Sequence, residues 1–176
     1  MANAITKIAE LNGNGSSATI SFTSIPSTYR DLMFFGSLRN TGSGSSYINQ
    51  EIQVTFNGHT GTNYASAFSY QRDNTIRYQM YQNSDRIRMI GATTTSGSTT
   101  AFGTFRFFMP GYRDASIYKR MDGLSAAHQT PNTTQNTVMG NYQWNQFAAI
   151  NQVDFTSNIS GSAWTSESRI SLYGIN

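Results

Sequence analysis

The stretch Ala101-Phe-Gly-Thr-Phe-Arg-Phe-Phe-Met109 decides the fold. Extended, it puts Phe105, Phe107 and Met109 on one side and Phe102, Thr104, Arg106 and Phe108 on the other. A period of two is the signature of a β-strand. The same alternation recurs outward from it. Ile76, Tyr78 and Met80 share a face, Ile87, Met89 and Gly91 follow the same rule, and Ile20 and Phe22 alternate with Ser21 and Thr23. Strands are expected over 4–9, 17–23, 32–39, 50–56, 66–71, 75–81, 86–90, 101–109, 116–121, 138–144, 149–156 and 168–173. Short, evenly spaced strands with turn signals between them predict an all-β chain, an antiparallel β-sandwich of jelly-roll-like arrangement. The length predicts one domain over residues 1–176. Fixed-period repeats, heptads and charge blocks are absent from the sequence.

Three longer phrases can be read physically. In Ile20-Ser-Phe-Thr-Ser-Ile-Pro-Ser-Thr-Tyr-Arg-Asp-Leu32 a half-buried strand meets Pro26, which has no N–H to donate and stops the pairing. The run Leu32-Met33-Phe34-Phe35 then reads as a strand buried on both faces. In Val54-Thr-Phe-Asn-Gly-His-Thr-Gly-Thr-Asn-Tyr64, Asn57-Gly58 is a strong turn signal, since both residues tolerate positive φ. The polar residues around it read as a self-hydrogen-bonded loop, with a metal or sugar site as the other reading. His59 is the one plausible metal ligand there, and the nearest acid in sequence is Glu51. Ser168-Arg-Ile-Ser-Leu-Tyr-Gly-Ile-Asn176 is a terminal strand, with Ile170 and Leu172 on one side. It is expected to pair inside a sheet rather than fray, and Met1 to be packed as well.

In this order and spacing the phrases resemble a family of β-rich structural proteins of tailed bacteriophages. Its members occur as small stand-alone virion proteins and as modules at the ends of tail fibres. The resemblance spans nearly the whole chain. It implies an all-β fold and a place in the virion, after synthesis in the host bacterial cytoplasm. Arg30 departs from the pattern, which commonly has a small or polar residue there. Two functions fit. One is a capsid decoration (cement) protein, a homotrimer stabilising the head through contacts with the major capsid protein and with itself. The other is a tail-fibre or appendage module binding a host surface glycan or receptor. A β-domain that starts within the first few residues, with no attachment region or shaft, favours decoration.

Composition narrows the rest. Charged residues are 12%, about half the usual share, and the polar surface is built from Ser, Thr, Asn, Gln and Gly. Aromatics at 13% exclude disorder. Without cysteine, neither a disulfide nor a thiolate metal site can form. The N-terminus has no apolar signal region, and no run approaches the roughly 18 apolar residues that span a membrane, so no membrane insertion is expected. The net charge of +3 is spread thinly, so no specific nucleic-acid binding is expected. Arg86 and Arg88 share one strand face, which reads as solvated or as a contact for an acidic partner. The nine acids lie singly along the chain, and neither His59 nor His128 sits in a recognisable catalytic frame. The expectation is no catalytic residue, no cofactor and no metal.

Two polar stretches, 40–46 and 129–137, read as surface loops, and 91–100 reads as a mobile loop or a polar edge strand. The functional candidates are aromatic. Tyr142, Trp144 and Phe147 lie among amides, and Trp164 precedes the last strand. Aromatic faces with amide donors suit sugar stacking, protein interfaces or a core. Trp144 leans to the core, Trp164 to exposure or a subunit contact. Arg113, Lys119 and Arg120 complete the set of expected partner or glycan contacts.

Overall fold

The structure, a computed structural model, describes residues 4–42, 50–72, 75–95, 101–128 and 135–176. Met1, whose packing the sequence suggested, lies outside them. Twelve strands run through the described residues, and no helix does. They are β1 (Ile5–Asn12), β2 (Thr19–Phe22), β3 (Asp31–Asn40), β4 (Gln50–Phe56), β5 (Tyr64–Arg72), β6 (Thr75–Ser84), β7 (Ile87–Thr94), β8 (Gly103–Met109), β9 (Lys119–His128), β10 (Gln135–Trp144), β11 (Val153–Ser157) and β12 (Arg169–Ile175). Each of the twelve expected segments overlaps one of them.

The strands form two layers. The large layer is antiparallel throughout, in the order β1-β12-β3-β8-β9-β10-β5-β6. The small layer is β2-β11-β4-β7, also antiparallel. A short parallel contact joins them, Arg39 against Thr93 and Asn40 against Thr94. The terminal strand β12 lies between β1 and β3, as a paired last strand should.

Rings hold the layers together. Phe22 and Phe155 of the small layer meet Phe34 of the large one with centroids 5.7 and 5.3 Å apart. Phe56 meets Trp144 at 5.5 Å, and Phe155 stacks on Phe107 at 6.2 Å. These edge and offset geometries suit the ring quadrupole and add to the burial of area. Room for the rings is made by glycines. Gly123 and Gly140 lie opposite each other on β9 and β10. A Cβ at Gly140 would stand 2.3 Å from the Tyr142 hydroxyl, and one at Gly123 would stand 2.7 Å from the Phe107 ring.

Several expectations need correction. The Leu32–Phe35 run is buried on one face only: Leu32 and Phe34 point into the core, while Phe35 is 43% exposed. β3 is interior to its sheet, but that sheet has an open outer face. The strand expected at 116–121 starts later and runs on to His128. Gly123 and the small residues Ser125, Ala126 and Ala127 hid it, since they lack the β-branched and aromatic side chains that mark a strand in sequence. The expected loops are shorter, because β3 extends to Asn40, β7 to Thr94, and β10 starts at Gln135. The remainder of each loop, residues 43–46, 96–100 and 129–134, lies outside the described residues. Arg30 acquires a role: its Nε donates to the buried carboxylate of Asp31 at 2.9 Å, and its backbone N–H donates to the Ile175 carbonyl at 2.9 Å.

Candidate functional site

The Asn57–Tyr64 loop is built to hold itself. Asn57 and Gly58 have φ of 52° and 66°, the left-handed pair that the sequence predicts. The Asn57 Oδ1 accepts from the N–H groups of Asn151 and Gln152, and its Nδ2 donates to the Ala149 carbonyl. The Tyr64 hydroxyl accepts from the Phe56 N–H and donates to the His59 carbonyl, each at 3.0 Å. The His59 Nε2 lies 2.8 Å from the Asn63 amide. These bonds tie Asn57, His59, Asn63 and Tyr64 into a self-hydrogen-bonded loop. Among the described residues no group of three or more His, Asp or Glu side chains is placed to hold a metal ion.

The two outer faces of the sandwich differ. On the small layer the outward side chains are polar and satisfy one another. Thr19 and Thr156 share a hydrogen bond of 3.0 Å, Asp154 accepts from Gln152, and Arg88 pairs with Glu51 at 3.2 Å. Arg86 bonds Asp85 and Gln53. The arginines read as a solvated basic face are therefore neutralised within the protein.

On the large layer the outward side chains are apolar and open. The register aligns them in rows across the sheet. One row runs Tyr173, Met33, Phe108, Asp122, Asn141, Ala67, Met80. The next runs Ser171, Phe35, Arg106, Leu124, Met139, Ser69, Tyr78. Phe35 and Tyr173 meet edge to face at 5.7 Å. Tyr78 is 83% exposed, Met80 66% and Met139 62%. These rows line an open groove of about 1060 Å³ whose charged lining residues are Arg106 and Asp122. Asp122 accepts from the Asn141 amide at 2.8 Å. Arg106 is exposed and has no ion-pair partner among the described residues. The apolar face of β6 that the alternation picked out, Ile76, Tyr78 and Met80, thus faces solvent rather than the core. The other face of β6 turns toward the small layer, where the Tyr81 hydroxyl donates to Glu51 and the Tyr81 ring lies under Arg88, so Ile76, Tyr78 and Met80 are left on the outer side.

Most of the expected contact residues lie elsewhere. Tyr142, Trp144 and Trp164 are core side chains, and Lys119 is buried with them. The exposure expected of Trp164 is overturned: it is 0% exposed, and its Nε1 donates to the Phe155 carbonyl at 3.0 Å. Lys119 turns its Nζ onto the carbonyls of Asp114 and Ile117, and burial lowers its pKa. Arg113 is exposed and donates to the Ser27 and Thr28 carbonyls at 3.3 and 3.4 Å. Arg120 is exposed on the same face of β9 as Asp122 and Leu124. Phe147 separates from Tyr142 and Trp144. It stays 61% exposed and stacks on Tyr118 at 4.5 Å. Sequence reasoning missed the open groove, although the alternating apolar residues that line it were visible.

No family model matches this chain, and no curated protein matches it. Among solved structures, the carbohydrate recognition domain of Emp47p is similar over 99% of this chain and 90% of that chain, at 8% identity and a TM-score of 0.33. The potassium-bound carbohydrate recognition domain of Emp46p is similar over 86% of this chain and 80% of that one, at 10% identity and a TM-score of 0.24. Similarity at that level carries no functional argument.

Proposed function

We propose that this chain is a structural protein of a tailed-bacteriophage virion, a decoration protein that binds the major capsid protein and further copies of itself. The observation that carries the reading is the open apolar face of the large layer, set on a sandwich whose other outer face is polar and self-satisfied. Exposed apolar patches of this extent on a folded domain mark contact surfaces. The resemblance of the three phrases to phage structural proteins supplies the class of assembly. A decoration protein works by surface contact alone, and modest contacts repeated over a shell add by avidity. The test is electron cryo-microscopy of the virion that contains this chain. Density at regular positions over the capsid, in fixed ratio to the major capsid protein, is expected. Density confined to the tail, or no density, refutes it.

A second reading, an appendage module for host glycans, is favoured by one observation. The exposed Tyr118–Phe147 stack lies where the β10 chain leaves the sheet, beside the mutually bonded amides of Gln143 and Asn145. Ring faces stack on sugar C–H groups while amides bond hydroxyls. Binding to a glycan array that is lost in Phe147→Ala would support it, and an array with no binding would sink it.

A further inference from the structure

The groove on the large layer has the composition of a surface that pairs with its own copy. We infer that the outer face of the large layer is the self-association surface of this protein, and that Arg106 of one copy stands against Asp122 of the next. The inference deepens the self-contact in the reading above and rests on that reading for nothing else. Two observations carry it.

The first is extent. The face spans seven strands, from β12 to β6. At about 4.8 Å per strand it is roughly 29 Å across, and a seven-residue strand such as β8 makes it roughly 24 Å long. The resulting face, on the order of 700 Å², is close to the roughly 800 Å² that each partner contributes to a standard interface. A small ligand would cover a fraction of it.

The second is charge. In the groove Arg106 lies among Phe35, Leu124 and Phe108, and Asp122 lies beside Phe108 and Asn141. A surface carrying one charge of each sign in an apolar field is its own complement: symmetry brings the cation of each copy to the anion of its neighbour. A partner of uniform charge would meet one of the two as a like charge. Within one copy Asp122 lies diagonally across from Arg106 on the next strand, yet the two form no ion pair, and Asp122 bonds Asn141 instead.

The experiment is sedimentation of the purified chain at micromolar concentration, with circular dichroism to confirm folding. Wild type is expected to sediment as a closed dimer, the state in which one self-complementary face meets its own copy. Met139→Asp and the single reversals Arg106→Asp and Asp122→Arg are expected to raise the dissociation constant at least tenfold. The double reversal Arg106→Asp/Asp122→Arg is expected to restore most of the loss. Ser21→Asp, on the polar small layer, is expected to change nothing. A wild-type monomer, an oligomer indifferent to Met139→Asp, or a double reversal no better than the single ones would each overturn the inference. Because this readout is in solution, a decoration protein that proves monomeric is distinguished from a self-associating chain absent from the capsid.

Discussion

At Trp164 the indole fills the core and bonds the Phe155 carbonyl, while its backbone N–H donates to the Ser17 carbonyl at 2.9 Å. One side chain thus ties the stretch before β12 to β11, and its backbone ties that stretch to the approach to β2. Trp164→Ala is expected to destabilise the fold by about 3–5 kcal/mol, the usual range for emptying such a site. Urea unfolding measures it, and a loss below about 1 kcal/mol would contradict the burial. Tyr64 supplies a pH prediction. Burial pushes its phenol up to about 12, against an ordinary 10.0, with the Phe56 N–H bond pulling the other way. The folded chain therefore keeps a proton that the unfolded chain loses. The stabilisation is fully present below pH 10 and lost as pH rises through 12. A urea midpoint that falls over that window, in step with phenolate absorbance, is the expected result. A flat midpoint refutes it.

Among the elements, β9 and β10 show how small residues can be structural. Gly123 and Gly140 leave the room in which the Phe107 and Tyr142 rings meet edge to face at 5.6 Å. Gly140→Ala is expected to cost about 1–3 kcal/mol, since the new methyl meets the Tyr142 ring and hydroxyl and the packed core has little room to give. Equilibrium denaturation of that variant decides it, and neutrality would mean that the ring has another place to go. β6 is the contrasting element. It has a strand's alternation, but its inward face carries Gln79 and Tyr81 against the small layer, and its apolar face points outward. Long edge strands with apolar faces are a hazard unless something covers them. That cost is consistent with a face reserved for contact.

Over the whole molecule the sandwich has two outer faces, and the apolar one is the site. The small layer covers the inner face of the large one, and no described residue forms a layer over its outer face. If copies associate through that face, folding and association are linked, because only the folded chain presents it. The melting temperature is then expected to rise with protein concentration in the wild type and to be independent of it in Met139→Asp. A concentration-independent wild type would argue for a monomer. Two-state fits are valid for the variant, and for the wild type only with a concentration term.

The alternation at 101–109, the Asn57-Gly58 turn and the terminal Ile170/Leu172 pattern are legible in the amino-acid sequence, and all-β architecture follows from them. They are local properties: side-chain period and backbone φ depend on a residue and its nearest neighbours. The location of the candidate site is not local. Alternation says that one face of β6 differs from the other, but which face meets a second layer depends on strands far away in sequence. For the same reason Tyr142, Trp144 and Trp164, plausible surface anchors by composition, became core, while Phe147 alone of its cluster stayed outside. Composition cannot distinguish a ring that packs inward from one that waits for a partner. Only the order and number of strands in each layer did that, by setting which apolar faces were covered and which were left open.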